Sequence, residues 1–441
     1  MRKTKKSERV IARDKKVFMT TTREQYNFVA ERGEGDFAYD ADGNKAIDFS
    51  SFVSVYNFGL NNTLAVRNAI KRQMDKLMHA AFTDYYSELP VDFAELLLKQ
   101  FPAGFGKIFL SNSGTEANED AIKIARFNTK KHYLIGFYGA FHGRSLGSLS
   151  LTSSKVVQRA HLGPFSEVIH APYPNPYRCI FGHSDDPDEC GRAHIEYIRD
   201  HILKREAAPG EVAAIFLEPI QGEGGYIVPP KSFVKGLREL ADENDIVLVA
   251  DEIQSGYMRT GKFLALDNFG VSADIYTMAK TLGAGMPMAA TISKDKISSM
   301  PQGKHAGTFA GNLAIVAGAY EQLKHVSRNR RKIEAEVKVK GRIAMKRLQE
   351  MRDDYEIVGD ARGIGMMLAI EIVRDKKSKA PNPNDRERIL KIALDNGLLM
   401  LGTGDSAIRV IPPLSISKSS LEKGLDILGD SINSINKRIK G

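Results

Sequence analysis

The middle of the chain sets short β-branched runs against longer amphipathic stretches, one after another: KIFLSN, TEANEDAIKIARFNTK, HYLIGFY, EVAAIFLEP, FVKGLRELADEN and IVLVAD. Runs such as VAAIFL and IVLVA leave no polar face, so a strand made from them must be covered on both sides. Strand-length runs alternating with helices of about ten to fifteen residues predict an α/β fold with a largely parallel sheet. From about residue 312 the pattern changes. GNLAIVAGAYEQLKHVS through MKRLQEM reads as a long helix, MMLAIEIV as a strand, DRERILKIALDN as a helix, and LLML and AIRVI as strands. A closing helix follows, with Ser419 and Glu422 expected as its capping box. YDADGNKAIDF predicts a hairpin turning at D-G and is grouped with this smaller α+β part. The expected division is an N-terminal segment 1–60 belonging to the small domain, a large domain over 61–325, and a C-terminal small domain over 326–441.

Composition narrows the function classes. A chain of 441 residues, 42% hydrophobic, can bury the cores of two domains. No apolar run approaches the roughly 18 residues that span a bilayer. The opening MRKTKKSERVIARDKK lacks the apolar stretch of a secretion signal, so no membrane role and a cytoplasmic location are expected. The net charge of +9 does not imply nucleic acid, because eight of the Lys and Arg fall in the first sixteen residues and later helices mix both signs.

In open α/β sheets ligands collect outside the carboxyl ends of strands. Four such ends stand out. SNSGTEANE runs from a strand through a Gly-containing turn into a helix, whose free N–H groups suit a phosphate; Ser113, Gly114 and Thr115 would supply the donors. IVLVADEIQSG ends a buried strand on Asp251, a costly place for a carboxylate unless a cation or several donors face it. DIYTMAKTLGAG holds one lysine, Lys280, between apolar runs, where desolvation turns an ammonium into a usable nucleophile. FYGAFHGRSLG offers a flat aromatic, Phe141, and a cation, Arg144. A phosphate cradle, an aromatic plate, a carboxylate and a lysine together describe a pyridoxal phosphate site, which needs a Schiff-base lysine and an acidic partner for the pyridinium nitrogen.

SGTEANE, FHGR, EPIQGEGG, ADEIQSGYMRTG, the Lys280 segment, GTFAGN and IRVIPPL stand in an order and spacing that resembles the class III, fold type I pyridoxal-phosphate aminotransferases, over nearly the whole chain. The resemblance implies roles. Lys280 holds the cofactor, Asp251 keeps its ring nitrogen protonated, Phe141 stacks on the ring with His142 beside it, and Gln254 neighbours the phenolic oxygen. Ser113, Gly114 and Thr115 form the phosphate loop, and Thr308 reaches the phosphate from a neighbouring subunit, so a homodimer is the smallest working unit.

For the substrate, the resemblance makes Glu218 and Arg409 a switchable pair. Closed, it admits an ω-amine; opened, Arg409 grips an α-carboxylate bidentately. Arg144 would bind the distal carboxylate of 4-aminobutyrate or glutamate. Ornithine aminotransferases carry a tyrosine where Val53 aligns, and Val53 cannot hydrogen-bond an α-amino group, which disfavours ornithine. The family's G-H-x-H-P is replaced by Gly59-Leu60-Asn61-Asn62-Thr63. The expected reaction moves an amino group from 4-aminobutyrate or a similar amino acid to a 2-oxo acid such as 2-oxoglutarate. The alternative is an amino-acid racemase or 2-epimerase acting on hydrophobic amino acids, and the stretches PYPNPYR and TDYY resemble such relatives too. No metal is expected for catalysis. Cys179, His183, Cys190 and His194 are spaced C-x3-H-x6-C-x3-H, which leaves a zinc site, a disulfide and two unrelated thiols open.

Overall fold

The computed structural model describes residues 4–19, 27–60, 63–163 and 165–440. The chain forms two units: Leu64–Val337, and Met1–Thr63 together with Lys338–Gly441. Asn61 and Asn62, part of the departure from G-H-x-H-P, lie outside the described residues, as do the first three residues of the basic N-terminus.

In the larger unit seven strands make one sheet: β1 (Phe105–Ser111), β2 (Tyr133–Phe137), β3 (Val168–Ala171), β4 (Val212–Leu217), β5 (Val247–Asp251), β6 (Ile275–Met278) and β7 (Ala289–Lys294). Their spatial order is β1-β7-β6-β5-β4-β2-β3. Only β7 runs against its neighbours, so the sheet is largely parallel, as the apolar runs predict. Every residue of β4 and β5 is buried. Helix α1 (Gly114–Thr129) supplies Ala121, Ile124 and Ala125 to a core shared with Leu134, Phe216 and Val249. Helix α2 (Lys231–Glu243) also packs on β5. From β2 the chain goes outward to β3, whereas from β4 it goes the other way to β5, which opens a crevice at the carboxyl ends of β2 and β4. The 42-residue helix α3 (Leu313–Asp354) contributes residues up to Val337 to this unit and the rest to the other. The expected domain break at 325/326 falls inside it.

In the smaller unit, Phe37–Asp40 and Lys45–Asp48 form the hairpin read from D-G, joined by Ala30–Glu34 and, in parallel, by Leu398–Leu399. A second sheet orders Val358–Ile364, Met367–Ile372, Ala407–Val410 and Leu401–Thr403. Among the helices of this unit are Pro383–Asp395 and Lys418–Lys440. The cap of the last helix is not Ser419. The Ser420 N–H donates to Ser417 Oγ at 3.1 Å, while Glu422 pairs with Lys418 at 3.6 Å. Asp36 fixes Ser417 there, since Oδ2 accepts both its N–H (3.1 Å) and its hydroxyl (2.8 Å). Among the described residues no helix is long and apolar enough to cross a membrane.

At the amino edge of the large sheet, away from the crevice, Asp274 ties four elements together. It accepts from Arg238 of α2 at 2.7 Å, Lys294 of β7 at 2.8 Å and the Leu248 N–H of β5 at 3.0 Å, directly before β6. Burial works against its charge, but these donors outweigh burial and hold the carboxyl below its usual range. A lowered folded pKa stabilises above the unfolded value of about 3.9 and stops doing so as pH falls through the folded value. Asp274→Asn should therefore cost about 1–3 kcal/mol at pH 7, discounted from a fully buried pair because Lys294 is partly exposed, and should flatten the acid limb of a melting-temperature profile. Equal acid sensitivity in both proteins would contradict this.

Candidate active site

Asp251 ends β5 with its side chain buried, opposite Thr277 of β6. Its Oδ2 accepts from Asn118 Nδ2 at 2.8 Å and His142 Nδ1 at 2.7 Å; its Oδ1 accepts the Ile253 N–H at 3.0 Å. Asn118 lies one turn beyond Gly114 on α1 and is fully buried. Its amide also donates to the His142 carbonyl at 2.7 Å, and its Oδ1 accepts from Thr277 Oγ1 at 3.0 Å. A carboxylate acceptor requires the proton on His142 Nδ1. Burial alone would keep this imidazole neutral, but the hydrogen bond and charge of Asp251, with Glu218 behind, outweigh burial and raise its pKa. Glu252, the next residue, serves structure: it accepts the N–H groups of Ala265 and Leu266, and burial pushes its carboxyl up to about 7.

Glu218 follows β4 directly and is buried. It holds two loops by their backbones: Oε1 accepts the Phe141 N–H and Oε2 the Gly222 N–H, each at 2.8 Å. Burial raises its pKa, Asp251 adding to the effect while His142 and the two N–H donors oppose it. The anchored Phe141 is half-buried, and the guanidinium of exposed Arg144 stands 5.6 Å from its ring centre. Gln254 Oε1 accepts from Tyr226 at 2.7 Å.

The α1 N-terminus lies at the carboxyl end of β1. Ser113 is its N-cap, with Oγ accepting the Glu116 N–H at 3.4 Å. The N–H groups of Gly114 and Thr115 have no acceptor inside the helix and suit an anion. Thr115 gives less than expected, because its hydroxyl is bonded to Ser148 Oγ and accepts the N–H groups of Arg144 (3.2 Å) and Ser145 (3.1 Å). Lys280 is half-buried two residues past β6, in a turn with φ +50°. Gln322 of α3 fixes that turn by donating to the Thr281 carbonyl at 2.6 Å.

The larger unit thus brings Asp251, His142, Glu218, Phe141, Ser113 and Lys280 to the same edge of one sheet. Thr308 is in the same unit but exposed, with no hydroxyl partner among the described residues. Val53 and Arg409 belong to the smaller unit. Val53 sits in a four-residue left-handed turn, Ser51–Ser54, at φ +64°. Arg409 is buried in a strand and donates through Nε to the Gly402 carbonyl at 2.9 Å. Sequence reasoning missed Asn118, Thr277, Tyr226 and Gln322. Asn118 was findable, since a helix that starts at Gly114 turns residue 118 to the same side. Among the open readings of the cysteine segment the structure has a disulfide, Cys179–Cys190, with Cα atoms 6.2 Å apart. His194 lies beside it, bonded through Nδ1 to the Cys190 carbonyl, and His183 is not part of the group.

Gly143 is where the cradle and the aromatic loop touch. Its φ is +143°, and an added Cβ would stand 2.2 Å from Thr115 Oγ1 and 2.5 Å from Ser148 Oγ. Gly143→Ala should lower stability by about 2 kcal/mol or more and loosen cofactor retention in equilibrium dialysis. A variant with the parent's melting temperature and retention would show that the loop yields freely.

Residues 18–432 match the family Aminotransferase class-III. A leucine/methionine racemase of Thermococcus litoralis is 35% identical over 98% of this chain and 97% of its own length. A 4-aminobutyrate aminotransferase of Escherichia coli is 33% identical over 90% of this chain and 92% of its own. Among solved structures, a taurine:2-oxoglutarate aminotransferase of Bifidobacterium kashiwanohense, in complex with PLP and glutamate, superposes with a TM-score of 0.90 at 27% identity, covering 98% of both chains. The buried carboxylate, the lysine of the next strand and the match along the whole sheet agree: the chain belongs to the class III aminotransferases, enzymes of the fold type I α/β architecture that depend on pyridoxal phosphate.

Proposed function

We propose that the chain moves an amino group from 4-aminobutyrate or a similar ω-amino acid to a 2-oxo acid such as 2-oxoglutarate, working as a homodimer in the cytoplasm. The carrying observation is Asp251, a buried carboxylate with Asn118 and His142 on one oxygen and a single backbone N–H on the other. That second oxygen suits a cationic ring N–H. The donor set fits the rest of the cofactor: Ser113, Gly114 and Thr115 for the phosphate, Phe141 for the ring face, Gln254 for the phenolic oxygen and Lys280 for the aldehyde. Bound pyridoxal phosphate supplies an aldehyde for the substrate amine and an electron sink that weakens the neighbouring C–H bond.

This chain's residues do the rest. Asp251 stabilises positive charge on the ring nitrogen, and His142 and Asn118 keep its carboxylate in place. Lys280 Nζ would hold the cofactor's aldehyde and, as a free amine, would carry the proton taken from the substrate carbon. Arg144 and Arg409 are the candidate carboxylate partners. Val53 gives an α-amino group no hydrogen-bond partner. The dimer reading is supported by an exposed apolar set, Met74, Leu77, Met78, Tyr85, Tyr86 and Phe309, in the unit that also exposes Thr308.

A second reading, racemisation of hydrophobic amino acids, is favoured by the racemase relative, 35% identical over nearly the whole chain. It needs a proton donor on each face of the carbon, and Lys280 accounts for one. Mixing the holoenzyme with 4-aminobutyrate alone separates the two. The aminotransferase converts its bound cofactor stoichiometrically to the amine form, read by absorbance, whereas a racemase leaves the spectrum unchanged and instead erases the optical rotation of a single-enantiomer amino acid. Lys280→Ala should lose the visible absorbance of covalently held cofactor and lower turnover by more than about 10³-fold. A variant that stays coloured and active removes Lys280 from this role.

A further inference from the structure

Three residues before Thr308 the chain is pinned unusually well. His305 Nε2 meets Asp120 Oδ1 at 2.5 Å, His305 Nδ1 meets Lys123 Nζ at 3.2 Å, and the ring stacks on Phe109 of β1 with centroids 4.4 Å apart. Lysine can only donate, so Nδ1 accepts and Nε2 carries the proton given to Asp120. Asp120 is itself buried on α1 and also takes Thr291 Oγ1 of β7 at 3.4 Å. On either side of Thr308 the chain is held again: just before it Thr83 donates to the Gly307 carbonyl at 3.4 Å, and just after it Phe309 packs on His79 at 5.2 Å. Between these anchors the Thr308 side chain is exposed. The flanks of the 305–309 segment are therefore fixed to β1, α1 and the 79–83 stretch, while the one hydroxyl between them, that of Thr308, is exposed.

We propose that His305 is a positioning residue for the neighbouring subunit's cofactor site. Held by Asp120 and Phe109, it sets the backbone that offers Thr308 to the partner's phosphate. This rests on the reading above that Thr308 acts across a homodimer. A merely structural role would weaken both subunits alike, whereas positioning acts only across the interface.

Heterodimers with one working lysine separate these cases. In the first, a wild-type chain pairs with a Lys280→Ala, His305→Ala chain, so the only covalently held cofactor faces a Thr308 without its anchor. In the second, a His305→Ala chain pairs with a Lys280→Ala chain, so the working site faces an anchored Thr308. A third pairs wild type with a Lys280→Ala, Thr308→Ala chain, and the reference pairs wild type with Lys280→Ala. Cofactor release during dialysis is followed by visible absorbance and by borohydride trapping on the Lys280 chain. The first and third should release cofactor about tenfold faster than the reference, and the second should match it. Replacing Ala with Gln, which can still donate to Asp120, should restore part of the retention in the first.

If the third matches the reference, the cross-subunit role of Thr308 fails and takes this inference with it. If the third loses cofactor while the first does not, or if the second loses it too, His305 alone is misassigned. Should the alanine chain not fold, His305→Phe preserves the stack on Phe109 while removing the bond to Asp120, and the same comparison decides.

Discussion

A buried carboxylate must be answered by donors, and Asp251 recruits them from several elements. Asn118 comes from α1, His142 from the loop after β2, Ile253 from the turn that follows, and Thr277 of β6 holds Asn118 in turn. Loss of any one would leave a buried charge or dipole unanswered, a cost of about 1–3 kcal/mol for a neutral group and more for an ion. The carboxyl ends of β5 and β6, the first turns of α1 and the aromatic loop thus share one hydrogen-bond network. Glu218 extends it by holding the Phe141 backbone. Phe141 and the α1 N-terminus, proposed above to hold the ring and the phosphate, stand on this frame, so their placement follows from satisfying one charge.

Strain gathers at positions the sequence had already marked. Lys280 and Ala284 both take left-handed backbone, at φ +50° and +51°, a conformation that costs a residue with a Cβ about 1–2 kcal/mol. Gln322 secures the turn from α3, and buried Leu282 and Gly283 fill the space beneath. In the smaller unit four consecutive non-glycine residues, Ser51–Ser54, are left-handed. Asp48 Oδ1 accepts the N–H groups of Ser50 and Ser51, and the Ser51 hydroxyl donates to the Ile411 carbonyl at 2.6 Å. Val53, β-branched and at φ +64°, would leave that conformation if those bonds were absent. Such turns persist only where surroundings over-determine them, and functional sites are where they concentrate.

The fold was legible because its strongest signals are local. All-apolar strands announce a covered parallel sheet, and a D-G pair between short amphipathic runs announces a hairpin. Asp251 and Lys280 stood out as charges placed where strands end. What escaped has a long-range cause. Asn118, Thr277 and Gln322 sit inside regular elements, where a polar residue reads as a surface position until its partner is known. The cap at Ser417 depends on Asp36, far away in sequence. The Thr115 hydroxyl looked available because the loop that occupies it arrives about thirty residues later. The cysteine spacing could not choose between metal and bridge; in the fold the two sulfurs are joined as a disulfide with His194 beside them.

Aminotransfer and racemisation begin with the same event, removal of a proton from the carbon bearing the amine. A sheet edge with Asp251, His142 and Lys280 would suit that event whichever of the two reactions follows. Discrimination among donors needs groups that read what else the carbon carries: a hydrogen, a carboxylate or an apolar side chain. Arg409 is buried, and its guanidinium favours an anionic partner over none, because desolvated charge is tolerated only when paired. Val53 has no polar group to offer an α-amino nitrogen. One residue lies in a strand and the other in a strained turn, both in the smaller unit. A desolvated guanidinium and a strained turn are both costs that the backbone of that unit carries.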